Sequence, residues 1–158
     1  MKLEVADAGR LQRLGIATVA LIYAQVFFGA VLRHTGAMLD MHLVLAFLAS
    51  LHVVLLGRSV FRRHLDQPAL LRPALLLSGL LLVQLGLGLG AYLGKFAMTL
   101  PATLTILLRT GHVVVGALML ATSLVLTLRF FGLLAERAPA GAGIAAPIAL
   151  CSGGRASA

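Results

Sequence analysis

Apolar residues run through this chain in four long blocks, covering about residues 14–32, 41–57, 73–94 and 111–128, and none of the blocks holds a Lys, Arg, Asp or Glu. A helix needs roughly 20 mostly apolar residues to cross a bilayer, and each block approaches or meets that length. The second is the shortest and carries two histidines. The blocks are rich in Leu and Ala and lack the strict alternation of a membrane barrel strand. The pattern therefore predicts an all-α membrane protein, a bundle of four transmembrane helices. The first block exceeds the apolar core of a secretory signal, and no small-residue cleavage site follows it, so it is read as a retained span. The expected organisation is a cytoplasmic N-terminus at 1–13, a four-helix membrane domain at 14–129 and a cytoplasmic tail at 130–158. That tail is rich in Gly, Ala and Pro after Pro139 and uncharged until Arg155, a composition expected of a poorly ordered terminus.

Composition agrees with the pattern. Of 158 residues 60% are apolar and 11% charged, with a mean hydropathy of +1.02. Soluble domains average about 45–50% apolar and about 25% charged, so a cytosolic enzyme and a disordered chain are both excluded. The single cysteine, Cys151, excludes an intrachain disulfide framework and a cysteine-based zinc site.

The net charge of +8 changes meaning once it is sorted by side. With both termini inside, Lys2, Arg10, Arg13, Arg58, Arg62, Arg63, Arg72, Arg129, Arg137 and Arg155 share the inner face. Only Arg33, Lys95 and Arg109 remain outside. Ten against three is a clear positive-inside distribution. It predicts cytoplasmic termini and a multi-pass protein of a cell inner (plasma) membrane. Membrane lipid is the expected surrounding, and nucleic acid is not an expected partner.

The two hairpins echo each other. Gln25 precedes Gly29 by four residues in the first span, as Gln84 precedes Gly88 in the third. The second span opens on His42 and the fourth on His112, and each ends at an arginine, Arg58 or Arg129. A duplicated hairpin keeps its orientation, so its halves are related by an axis along the membrane normal. His42 and His112 then lie at matching depth near the outer face. Two imidazoles at one level, projecting into a four-helix bundle, are what axial ligation of a haem on both faces requires.

Other residues compete for a role. His52 lies about 15 Å deeper than His42, level with Thr122, which does not ligate haem. It is read as a buried histidine bonded to a neighbouring helix. His34 sits in the outer loop, and His64 follows two arginines inside as ordinary loop chemistry. Arg33 and Arg109 stand at the outer edge near the paired histidines, placed to hold haem propionates through paired hydrogen bonds or to snorkel to headgroups. Gly86, Gly90 and Gly94 recur at four-residue spacing and are read first as a close-packing face. Gln25 and Gln84 lie in apolar spans and must find partners, most simply across helices. Asp40 either orients an imidazole, acts as a base or caps the second span.

The stretch from Gln25 to Ala37, QVFFGAVLRHTGA, resembles the end of the first helix of the haem A synthase family, with its Gln-x-x-x-Gly-Ala-x-x-Arg-x-Thr-Gly-Ala/Ser pattern. The segment from Gln84 to Gly90, followed by a histidine at the head of the next span, is similar to the second hairpin of that family's four-helix unit. The resemblance covers about residues 14–129 and is most specific over 33–37. It implies a single four-helix half of a fold that mostly contains two, with His42 and His112 at the positions of haem ligands. It further implies oxidation of a haem O methyl group to the formyl of haem A, during assembly of a terminal oxidase. The chain departs from the family in its short 34–40 loop, which has no cysteine pair, and in Leu39 and Leu43, where the family commonly carries Glu and Arg. Those departures give weight to the alternative of a non-catalytic b-type cytochrome, an electron-transfer subunit of a larger membrane complex. Haem B is the cofactor expected there, with haem O or A for the synthase. A single half is expected to pair as a homodimer or to dock on a respiratory membrane complex.

Overall fold

A computed structural model describes residues 5–96 and 100–135 of the chain. They form four helices, α1 (Val5–Thr35), α2 (Leu39–Arg63), α3 (Pro68–Phe96) and α4 (Ala102–Ala135). Each is long and apolar enough to cross a membrane, and no strand occurs among the described residues. The all-helical, four-span expectation is met. The predicted tail after Pro139 lies outside the described residues.

Every helix outruns its apolar block. The 31 residues of α1 span about 46 Å, well beyond a hydrocarbon layer of about 30 Å. The apolar run marks only the stretch that must avoid water, and the helix continues past it into polar surroundings. The largest extension is at α4, which starts at Ala102 rather than near residue 111 and runs straight through Arg109.

The first two connections are short enough to force antiparallel neighbours. Between α1 and α2 the chain reverses through Gly36 and Met38, at φ +73° and +67°. Gly36 is the residue type that reaches this left-handed region without a Cβ clash, and its N–H donates to the Leu32 carbonyl at 3.0 Å to close α1. Each helix contacts its two chain neighbours, and α4 closes on α1, whereas α1 and α3, and α2 and α4, make no close backbone approach. The bundle is therefore square in section, with α2 and α4 on one diagonal.

Burial is confined to one end of that square. Leu11, Val53, Leu56, Leu70, Leu77, Leu126 and Phe130 form its centre, all from the half containing the start of α1 and the end of α2. The hydroxyls buried there turn back on their own helices, as Thr18 donates to the Leu14 carbonyl at 2.7 Å and Thr127 to that of Ser123 at 2.8 Å. Pro73 lies inside α3 and has no N–H to donate to the Ala69 carbonyl one turn earlier. The Arg129 guanidinium of α4 donates to that carbonyl instead. In the opposite half, none of the described residues within 23–48 and 82–115 is buried.

Candidate functional site

In that unburied half, His42 from α2 and His112 from α4 meet across the diagonal. Their ring centroids are 6.3 Å apart with the ring planes at 70°. The helices carrying them make no close backbone approach, so here side chains reach across the middle of the bundle. The two residues that the sequence singles out, 70 positions apart in the chain, are brought together.

Each ring is held by the preceding helix of its own hairpin. The Gln25 amide Nε2 lies 3.2 Å from His42 Nε2, and the Gln84 amide Nε2 lies 3.4 Å from His112 Nε2. An amide N–H only donates, so both imidazoles accept at Nε2 and carry their proton on Nδ1. For His112 that proton is directed at the Gln84 backbone carbonyl, 3.3 Å away. His42 Nδ1 is buried without a partner, and so are Oε1 of Gln25 and of Gln84. The cross-helix partners expected for both glutamines are therefore the histidines themselves.

The glycines four residues after each glutamine make room for the rings. A Cβ built on Gly29 would stand 3.0 Å from His42 Cε1 and 3.4 Å from its Nδ1. The same atom on Gly88 would stand 3.0 Å from His112 Cε1 and 3.4 Å from its Nδ1. Gly116, one turn after His112, leaves space for the Gln84 amide, whose Nε2 would lie 3.1 Å from an added Cβ. The Gln/Gly spacing was visible in the sequence as a repeat marker. Its role as a cradle for an imidazole needed the helices to be assembled.

The remaining candidates fall elsewhere. His52 is a correction: its Nδ1 lies 2.9 Å from the Leu48 carbonyl of its own helix, not against a neighbour. His34, Arg33 and Arg109 are exposed at the histidine end. Asp40 is exposed in the first turn of α2, where Met38 caps the helix with no side-chain bond, so Asp40 neither caps it nor reaches His42 Nδ1. His64 is buried rather than part of an open loop. Gly90 and Gly94 do pack closely, on Leu108 and Leu100, whereas Gly86 faces open space.

Two neutral imidazoles 6.3 Å apart form a donor pair for one metal centre only once each Nε2 is released from the glutamine amide that holds it. Among the described residues no three potential metal-ligating side chains gather at one point, so a bare ion would find only half of a tetrahedral shell here. No family model matches the chain, and neither a curated protein nor a solved structure matches it.

Proposed function

We propose that this chain is a haem-binding integral membrane protein whose His42 and His112 are the two axial ligands of one haem. The observation that carries the reading is their centroid separation of 6.3 Å. Metal–imidazole bonds of about 2.0 Å on each side, extended to the ring centres, require about 6.2 Å. Ligation would require each Nε2, held in this structure by a glutamine amide, to turn from that amide to the metal. The donor set fits a macrocycle, which supplies the four ligands the protein lacks. The orphaned His42 Nδ1 and the Oε1 atoms of Gln25 and Gln84, together with the lack of buried residues among those described within 23–48 and 82–115, support a site completed by a further group.

The near-identical Gly29–His42 and Gly88–His112 spacings support two repeated hairpins. The basic residues gathered at the packed end support cytoplasmic termini and an inner-membrane location, with the histidines at the outer face. Arg33 and Arg109, exposed at the histidine end, are the residues proposed to hold propionates. When bound, the group supplies one-electron transfer. The protein's part is to present two Nε2 lone pairs, keep protons on Nδ1 and surround the site with apolar side chains.

With both axial positions taken by histidine, a b-type electron-transfer subunit, carrying haem B and working as a homodimer or within a respiratory complex, is the reading the geometry favours. The second reading, a single-half haem A synthase, rests on the residues from Gln25 to Ala37. A pyridine haemochrome spectrum of detergent-purified protein separates them. Haem B alone supports the cytochrome, and haem O or A supports the synthase. Protein that takes up no haem, as purified or on reconstitution, overturns both.

A further inference from the structure

At the far end of the bundle from the histidines, α1 and α2 line an open pocket of about 440 Å³. Arg10 enters it from α1, and Arg58, Arg62 and Arg63 enter it from the last turns of α2. Leu14 and Leu55 supply its apolar lining, Leu55 remaining exposed. The volume falls within the range of small-ligand sites. The site lies about 24 Å along α2 from His42 and shares no residue with it.

A positive-inside distribution accounts for the number of arginines at this end but not for their convergence. Arg58 and Arg62 stand one turn apart on one helix face, an arrangement in which like charges repel. Arg10 donates to the neutral Ser59 hydroxyl at 3.4 Å. Arg58 and Arg62 make no hydrogen bond or ion pair with any residue whose side chain is described. What Arg58 and Arg62 lack there is an anion with several acceptor oxygens, the group that guanidinium forks recognise best.

We propose that this pocket is a binding site for a phosphate group, held by Arg10, Arg58 and Arg62 from two helices. Apolar surface continues along α2, where Leu51, one turn beyond Leu55 on the same face, is 42% exposed. A phosphate that carries acyl chains therefore finds a path for them beside the helix. Basic pockets between transmembrane helices take anionic headgroups in this way. A small soluble phosphate ester shares the recognition chemistry and would use the arginines alone.

The test is lipid retention by the full chain in detergent, followed by native mass spectrometry with phosphatidylglycerol, phosphatidylcholine and inorganic phosphate as probes. Each arginine is expected to contribute roughly fivefold, so the pair of changes Arg58→Gln and Arg62→Gln weakens phosphatidylglycerol retention roughly thirtyfold. The pair Arg13→Gln and Arg72→Gln removes the same charge outside the pocket and leaves retention within about twofold of the unaltered protein. Equal losses in both pairs would reduce the site to general charge attraction and overturn the proposal. The unaltered protein supplies a readout that needs no variant. Preference for phosphatidylglycerol over phosphatidylcholine that survives millimolar inorganic phosphate identifies a lipid headgroup. Displacement by inorganic phosphate identifies a soluble phosphate, and the absence of any preference or displacement overturns the site.

Discussion

The two ends of this bundle are built from the same four helices and differ in almost everything else. At the arginine end, side chains from all four helices close on one another, and Leu56, Val60, Leu70 and Leu126 are wholly buried. Hydroxyls there are satisfied by carbonyls of their own helices, and even the acceptor stranded by Pro73 is met, by Arg129. At the histidine end, no described residue within 23–48 and 82–115 is buried, three side-chain polar atoms are sealed from solvent without partners, and the two helices bearing histidine meet through their imidazoles without close backbone approach. One end is packed by the chain itself and holds the bundle together, although Gln67 Oε1 in the turn between α2 and α3 is also buried there without a partner. The other has the polar and steric character of a site that a further group completes, because buried polar groups are rarely left unpaired without a reason.

The largest test of that contrast is to remove a ligand. His42→Ala and His112→Ala are each expected to abolish a low-spin haem spectrum in the purified protein, since one imidazole cannot hold both faces of a haem. His52→Ala is expected to leave it intact, because that ring bonds only to its own helix. A low-spin spectrum that survives either of the first two changes shows that other ligands operate.

Next in size are the glycines that cradle the rings. Gly29→Ala and Gly88→Ala each place a methyl group 3.0 Å from an imidazole Cε1, and overpacking of this kind costs about 1–3 kcal/mol. Haem retention should fall roughly tenfold, with the shift visible in the Soret band. Gly86→Ala, on the same helix, meets nothing within 4 Å. It should hold haem as before and gain up to about 1 kcal/mol of helix stability. Equal behaviour of Gly86 and Gly88 variants would remove the cradle from the account.

A change at the packed end should act on the scaffold and not on the spectrum. Leu56→Ala and Leu126→Ala open cavities at residues with 0% exposure. In water, such changes cost about 2–5 kcal/mol, part of which is transfer from water. Helices that separate within a bilayer stay in lipid, so mainly the lost packing contacts remain. An expected loss of about 1–2 kcal/mol follows, read as a lowered detergent melting temperature with unchanged band positions. Leu82→Ala, at a residue 72% exposed to the surroundings, should shift neither.

Much of the contrast was legible in the chain, and unevenly. Four spans follow from apolar runs, because a bilayer imposes its thickness on composition. The pairing of His42 with His112 follows from the repeated order of Gln, Gly and His, since a repeated hairpin keeps its orientation and each histidine follows its Gln and Gly on the next helix. Helix ends did not follow, because apolarity stops at the edge of the lipid while backbone hydrogen bonding continues past it. His52 was misassigned to a neighbouring helix because a ring nitrogen can turn back to the carbonyl four residues earlier, and nothing in the sequence separates the two options. The convergence of Arg10 with Arg58 and Arg62 was hidden for a different reason. Their number already had a sufficient explanation in topology, and only the packing of α1 on α2 shows that they share a pocket.

The smallest expected effect separates the two proposed ligands from each other. His112 has both ring nitrogens engaged, Nε2 by the Gln84 amide and Nδ1 by the Gln84 backbone carbonyl, whereas His42 has only the Gln25 amide and a stranded Nδ1. A backbone carbonyl survives any side-chain change, so Gln84→Leu leaves His112 anchored in the tautomer that offers Nε2 to a metal. Gln25→Leu leaves His42 with no hydrogen-bond partner. In the haem-free protein each amide also occupies the lone pair that iron would take, so its removal relieves a competition worth about 0.5–1.5 kcal/mol. The Gln84→Leu protein is therefore expected to bind haem a few-fold more tightly than the unaltered protein. In Gln25→Leu that gain is offset by the freedom of an unanchored ring, leaving affinity within about twofold. Haem titration of the two purified variants side by side measures the difference. Identical affinities would mean that the Gln84 carbonyl does not orient His112, and that the two imidazoles are held equally despite their different surroundings.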